Sequence, residues 1–135
     1  MGKEKSYKEP VTFRYHDHDC VLQLGRYKHG GRVAMTVLDK ETREELTMAT
    51  VNLPEVPLRP EQTFIKDYSE NEGLLRALCD ARVVMSTGDY VESGFVRIPK
   101  CMFIVPVPER FREGALLTRT VPPEMHRDRE LGREP

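Results

Sequence analysis

His16-Asp17-His18-Asp19 places two imidazoles and two carboxylates side by side, the donor types that hold zinc and similar divalent ions. Neighbouring strand residues point to opposite faces, so only pairs such as His16 and His18 converge. The same four residues also suit a solvated hairpin tip, because Asp favours turns. On that reading no metal is held. Cys20, Cys79 and Cys101 each offer a thiol that a histidine would have to activate. Cys20 and Cys101 stand in the apolar contexts Asp19-Cys20-Val21-Leu22 and Lys100-Cys101-Met102-Phe103, which predicts buried, inert thiols.

A third polar group surrounds a helix start. Lys66, Asp67, Glu70 and Asn71 precede an apolar run, and Ser69 followed by Glu72 has the spacing of a capping box. In such a box the serine hydroxyl accepts from the third backbone N–H, and the glutamate carboxylate reaches back to the serine N–H. Open helix termini attract anions, but Glu70 and Glu72 already complement the dipole there. Capping accounts for Ser69 and Glu72. It leaves Lys66, Asp67, Glu70 and Asn71 to pair internally or to face a partner. Arg14, Arg26 and Lys28, with Tyr15 and Tyr27 between them, supply some of what a nucleic-acid face needs, diluted by acids. The glycines make no phosphate cradle, since neither GxGxxG nor GxxxxGK[ST] occurs. No cofactor is expected.

The elements that must position these groups follow from alternation. Val11, Phe13 and Tyr15 alternate with polar residues, Cys20, Leu22 and Leu24 return on the far side of the turn, and Gly30-Gly31 marks the next reversal. Residues 32–38 and 46–53 supply third and fourth strands, an antiparallel meander. Pro54, Pro57 and Pro60 exclude a paired strand and make a stiff crossing loop. Leu74, Leu75, Leu78 and Ala81 then form one helical stripe. Beyond it, Val83 to Met85 is a short strand or helix exit, Ser86-Thr87-Gly88-Asp89 is a turn, and residues 90–105 are extended. In that stretch Gly94 suggests a bulge and Pro99 an edge position.

The predicted fold is therefore α+β: an antiparallel sheet of four to six strands, with one main helix at about residues 70–81 packed on one face. Its leucines should meet Val33, Met35, Val37, Met48 and Val51. Residues 1–10 read as a flexible lead-in, 11–105 as a single domain, and 106–135 as a Pro/Arg/Glu-rich extension, partly disordered. Exposed strand edges admit a homodimer.

The 135 residues carry 21 basic and 22 acidic side chains, so no global field advertises nucleic acid or an anionic membrane. Three widely spaced cysteines without a CxxC pair indicate reduced thiols. The start has no apolar run after its charges, and no stretch approaches the ~20 apolar residues of a membrane span. A cytoplasmic setting without a membrane partner is expected.

Ala49-Thr50-Val51-Asn52-Leu53-Pro54, the stretch 64–73 and Ser93-Gly94-Phe95-Val96 resemble a family of uncharacterised small proteins carried by bacterial plasmids, conjugative elements and phages. The likeness covers about residues 11–104. It implies no catalytic residues. What it implies is a setting, since accessory proteins of mobile elements often antagonise host defence. The expectation is a non-enzymatic protein that binds a host or defence protein, such as an anti-CRISPR or anti-restriction inhibitor. A nucleic-acid-binding accessory protein, using the first hairpin and the tail arginines, is the alternative. A metal-dependent enzyme using His16 and His18 is the second alternative.

Overall fold

The computed structural model describes residues 7–122. The meander forms as β2 (Phe13–Tyr15), β3 (His18–Arg26), β4 (Val33–Asp39) and β5 (Glu45–Met48), paired antiparallel in that order. The first reversal is a two-residue turn at His16 and Asp17, both with positive φ (49° and 65°). That conformation matches the right-handed twist of the flanking strands. A second sheet runs β6 (Gln62–Phe64), β8 (Val96–Phe103), β7 (Val84–Ser93). The two sheets are joined where Thr50 bridges Ile65, with Val51 N–H donating to Phe64 O (3.0 Å) and Lys66 N–H to Ala49 O (2.8 Å). One hydrogen-bonded run therefore curls from β2 to β7. Helix α1 (Leu74–Asp80) contacts both of its outer strands.

That arrangement is the expected α+β fold, with Leu74 and Leu78 fully enclosed beside Leu22, Met35 and Val37. Each such leucine contributes about 1.5–3 kcal/mol by its burial. Val33 packs against this core, but Met48 is exposed and Val51 is only half-buried, contrary to the expected contacts. The register of β4 against β5 shifts between Val37 and Leu38, and β5 stops at Met48.

The helix start differs from the expected one. Ser69–Asn71 is a single 3₁₀ turn, Glu72 leaves helical geometry (φ −55°, ψ 129°), and Gly73 at φ 91° resets the chain before α1. Ser69 and Glu72 form no capping box, because neither helix start has a side-chain cap bond and the Glu72 N–H donates to Ser69 O. The cap comes from further back. Asp67 Oδ1 accepts the backbone N–H of Leu75 at 2.9 Å, inside the first turn of α1.

Three other local expectations change. Ser86-Thr87-Gly88-Asp89 is an irregularity within β7, held by Thr87 Oγ1 donating to Lys100 O, and Gly94 lies in the β7–β8 hairpin turn. Pro99 lies in β8, the central strand. It is tolerated because the β6 ladder ends at Lys100, the Pro99 carbonyl still accepts from Ile65 N–H (3.2 Å), and its β7 partner Tyr90 follows the irregularity.

The domain boundaries also move. Tyr7–Pro10, expected in a flexible lead-in, is strand β1 and pairs with β9 (Thr118–Val121) from the expected extension. Before β9 the chain runs along the β3 edge that β2 leaves open. Leu24 N–H donates to Ala115 O (2.8 Å) and Leu117 N–H to Leu22 O (2.9 Å). Leu117 and Val121 are buried. Residues 123–135, including the tail arginines Arg127, Arg129 and Arg133, lie outside the described residues.

Candidate interaction site

The β7–β8 hairpin leaves the body as an arm. Its base is fixed by Ile98, which is buried, and by the paired Tyr90 and Pro99. Beyond Pro99, among the described residues, only its own two strands pair. Ser93 opposes Val96, so the reversal is a two-residue turn, Gly94-Phe95. Gly in the first position takes the positive φ (63°) that such a turn requires. The consequence falls on Phe95, whose relative exposure is 108%. The same arm carries Tyr90, at 48% exposure, and Arg97, whose guanidinium lies 4.6 Å from the Tyr90 ring centroid. Arg97 Nε also stands 4.0 Å from Glu92 Oε2 on the opposite strand. An aromatic tip, a second aromatic and a stacked arginine are the residue types that dominate binding energy at protein interfaces. Covering Phe95 alone is worth about 1.5–3 kcal/mol.

The polar group before α1 does come together, but as internal bracing. Asn71 is fully buried, contrary to its expected role at a partner surface. Its Nδ2 donates to Met48 O (2.6 Å) and its Oδ1 accepts from Thr47 Oγ1 (2.7 Å). Asp67 is used as the helix cap. Lys66 Nζ donates to Glu70 Oε2 at 2.6 Å, and this pairing holds the Glu70 carboxyl below its usual pKa. Of the four, Glu70 is the exposed one. Tyr15 closes the bracket by donating its hydroxyl to Glu72 O at 3.0 Å.

The histidines are separated by their roles. His16 occupies the turn against the Tyr15 ring (centroids 4.0 Å apart), whereas His18 Nδ1 sits 2.9 Å from Asp39 Oδ2. Among the described residues, no three His, Cys, Asp or Glu side chains gather closely enough to hold a metal. The thiols are poor nucleophiles. Burial pushes Cys20 up to about 11 and Cys101 up to about 12, and it raises Cys79 as well.

Arg14, Arg26 and Lys28 form no common face. Arg14 pairs with Asp19 (3.0 Å) at one end of the β2–β3 hairpin. Arg26 lies at the far end of β3, about 23 Å away at strand spacing. There it donates to Gly31 O (3.1 Å) and Glu109 O (2.7 Å) and stacks on Phe111 (4.5 Å).

No protein-family model matches the chain, and no curated protein or solved structure matches it. The site therefore stands on its geometry. Neither spacing nor motif assigns a role to Phe95, Tyr90 or Arg97. The available signal was an aromatic residue following glycine between two alternating runs, a position where a side chain has nothing to pack on. Among the described residues no helix is long and apolar enough to cross a membrane.

Proposed function

We propose that this chain acts by binding another protein, and that the β7–β8 arm is its contact, with Phe95 as the anchor. The observation that carries the reading is a Phe95 side chain held entirely in solvent at a tight turn. What distinguishes it from a lone exposed apolar residue is its company: the same hairpin presents Tyr90 and the stacked Arg97, and aromatics and arginine are the types enriched at protein contacts. Tyr90 and Arg97 supply the flanking contacts, and Glu92 and Ser93 supply a polar rim. The described body gives the arm a firm base, so little conformational entropy is lost when the tip docks.

The likeness of the 49–54, 64–73 and 93–96 stretches to proteins of plasmids and phages makes a host or defence protein the partner class of this reading. An inhibitor of the anti-CRISPR or anti-restriction kind is its specific form. A cytoplasmic setting belongs to the same reading, in keeping with three free cysteines, two of them buried. His16 and His18 are turned to separate partners, and Arg14 lies far along the sheet from Arg26 and Lys28, so neither set offers a comparable surface.

The test replaces the anchor. The full chain and its Phe95→Ala variant are immobilised and exposed to host lysate, with a photo-crosslinking residue at position 93 in both. Phe95 packs on nothing, so the variant should keep the melting temperature. A discrete partner should crosslink to the parent chain and fall by about tenfold or more with the variant. Equal capture by both chains, or capture by neither, overturns the reading.

A further inference from the structure

A second feature lies away from the arm. Between the β4–β5 turn, the β1–β9 ribbon and the end of α1 is a recess of about 560 Å³. Lys40 and Arg43 line it from the turn and Arg119 from β9, while Thr12, Val21 and Ala81 contribute a hydroxyl and apolar wall. One lining carboxylate, Glu9, faces Arg119 across the β1–β9 ladder, so cations outnumber acids three to one. The chain as a whole has a net charge of −1. Such a concentration of one sign is a property of the fold, drawing together positions far apart in the sequence.

The backbone that carries Lys40 and Arg43 is held in place, and so is the Arg119 guanidinium. Asp39 Oδ1 accepts the backbone N–H groups of Glu41 (2.9 Å) and Thr42 (3.0 Å). Asp39 O accepts Arg43 N–H (2.9 Å), and Asp19 O accepts Lys40 N–H (2.7 Å). The turn is thus clasped at each residue that matters, while the Lys40 and Arg43 side chains form no hydrogen bond or ion pair among the described residues. Arg119 Nη2 donates to Ala81 O at 2.7 Å, which fixes its guanidinium beside the recess and leaves further donors. Two planar guanidinium forks and an ammonium suit the several oxygens of a phosphoryl group. The volume is that of a small-molecule site, and Pro10 and Ala81 offer an apolar surface to the rest of the ligand.

We propose that this recess binds a multiply charged phosphate ester, either a free nucleotide-sized molecule or the phosphates of a nucleic acid strand. The inference is independent of the arm and of its partner. The Glu41 and Glu44 carboxylates of the same turn do not line the recess.

Three probes test it on the full chain at low ionic strength: inorganic pyrophosphate, ATP and a twelve-nucleotide oligothymidine, each followed by amide chemical shifts. Pyrophosphate should produce saturable shifts at Lys40, Arg43 and Arg119. Lys40→Gln and Arg43→Gln, in an exposed turn, should each weaken it about tenfold, the effect of losing a charge-assisted hydrogen bond. Tighter binding of ATP than of the oligonucleotide assigns a free ligand. Tighter oligonucleotide binding, with a steep salt dependence, assigns a strand. No saturable shift with 10 mM pyrophosphate, or saturation unaffected by both substitutions, overturns the proposal. So does saturation by a poly-glutamate peptide in the absence of any pyrophosphate response.

Discussion

The Asp39 carboxylate gathers three hydrogen-bond partners, the His18 ring and the backbone N–H groups of Glu41 and Thr42. Hydrogen bonds from the Thr42 and Glu41 backbone and from His18 stabilise its charged form, which holds its pKa down at about 2 against an ordinary 3.8. The unfolded chain therefore binds this proton more readily than the folded one. The stabilisation is complete above pH 3.8 and is lost as the pH falls through about 2. Carboxyl resonances should show an Asp39 midpoint near 2. In the Asp39→Asn variant the part of the acid-induced fall in melting temperature between pH 4 and 2 that Asp39 supplies should disappear; a midpoint near 4 would refute the clasp. None of this was legible beforehand. Asp39-Lys40-Glu41-Thr42 has residue types that suit a turn, but the imidazole on Asp39 comes from His18 in another strand. By contrast the inert thiols were legible, because apolar neighbours in sequence foretell burial whatever the fold.

At the scale of elements, α1 separates what spacing can reveal from what it cannot. The 74, 75, 78, 81 stripe identified the helix, since apolar periodicity reports directly which face is covered. Its start was misjudged because a capping box is a pattern of residue types, and Ser69 and Glu72 match the pattern without the geometry. Gly73, at φ 91°, decides the matter by separating a 3₁₀ turn from the helix proper. The distinction can be measured by thermal or urea unfolding. Asp67→Ala should cost about 1 kcal/mol, as the loss of a helix cap does, while Ser69→Ala should fall within about 0.5 kcal/mol of the parent. The reverse order would restore the capping box. The same helix explains why Lys66, Asp67, Glu70 and Asn71 looked like a site. A cluster of polar residues ahead of a helix serves a buried junction as readily as a surface, and only Asn71's contacts with Thr47 and Met48 show which.

At the scale of the whole molecule, the question is how a curled sheet with open edges is closed. One answer is α1, which bridges the outer strands. The other is the 106–122 segment, part of a 106–135 stretch whose five prolines and balanced charges resemble a solvated tail. Composition describes a segment's average, whereas Leu117 and Val121 act singly. Leu117 supplies a backbone bond to Leu22 and a side chain with 1% exposure in the main core. Val121 is paired with Tyr7, bringing the two ends of the described chain together. If this closure is part of the fold, Leu117→Asp must place a charge in the core and cut the hydrogen-bonded rail along β3. The expected loss is more than about 3 kcal/mol, with full or partial unfolding at room temperature. A milder Leu117→Ala should cost about 2–5 kcal/mol and speed amide exchange at Leu24, whose N–H donates to Ala115 O. A true tail would leave both the urea midpoint and Leu24 exchange unchanged. The exchange of that one amide therefore separates a body closed by its 106–122 segment from a sheet with an appendage.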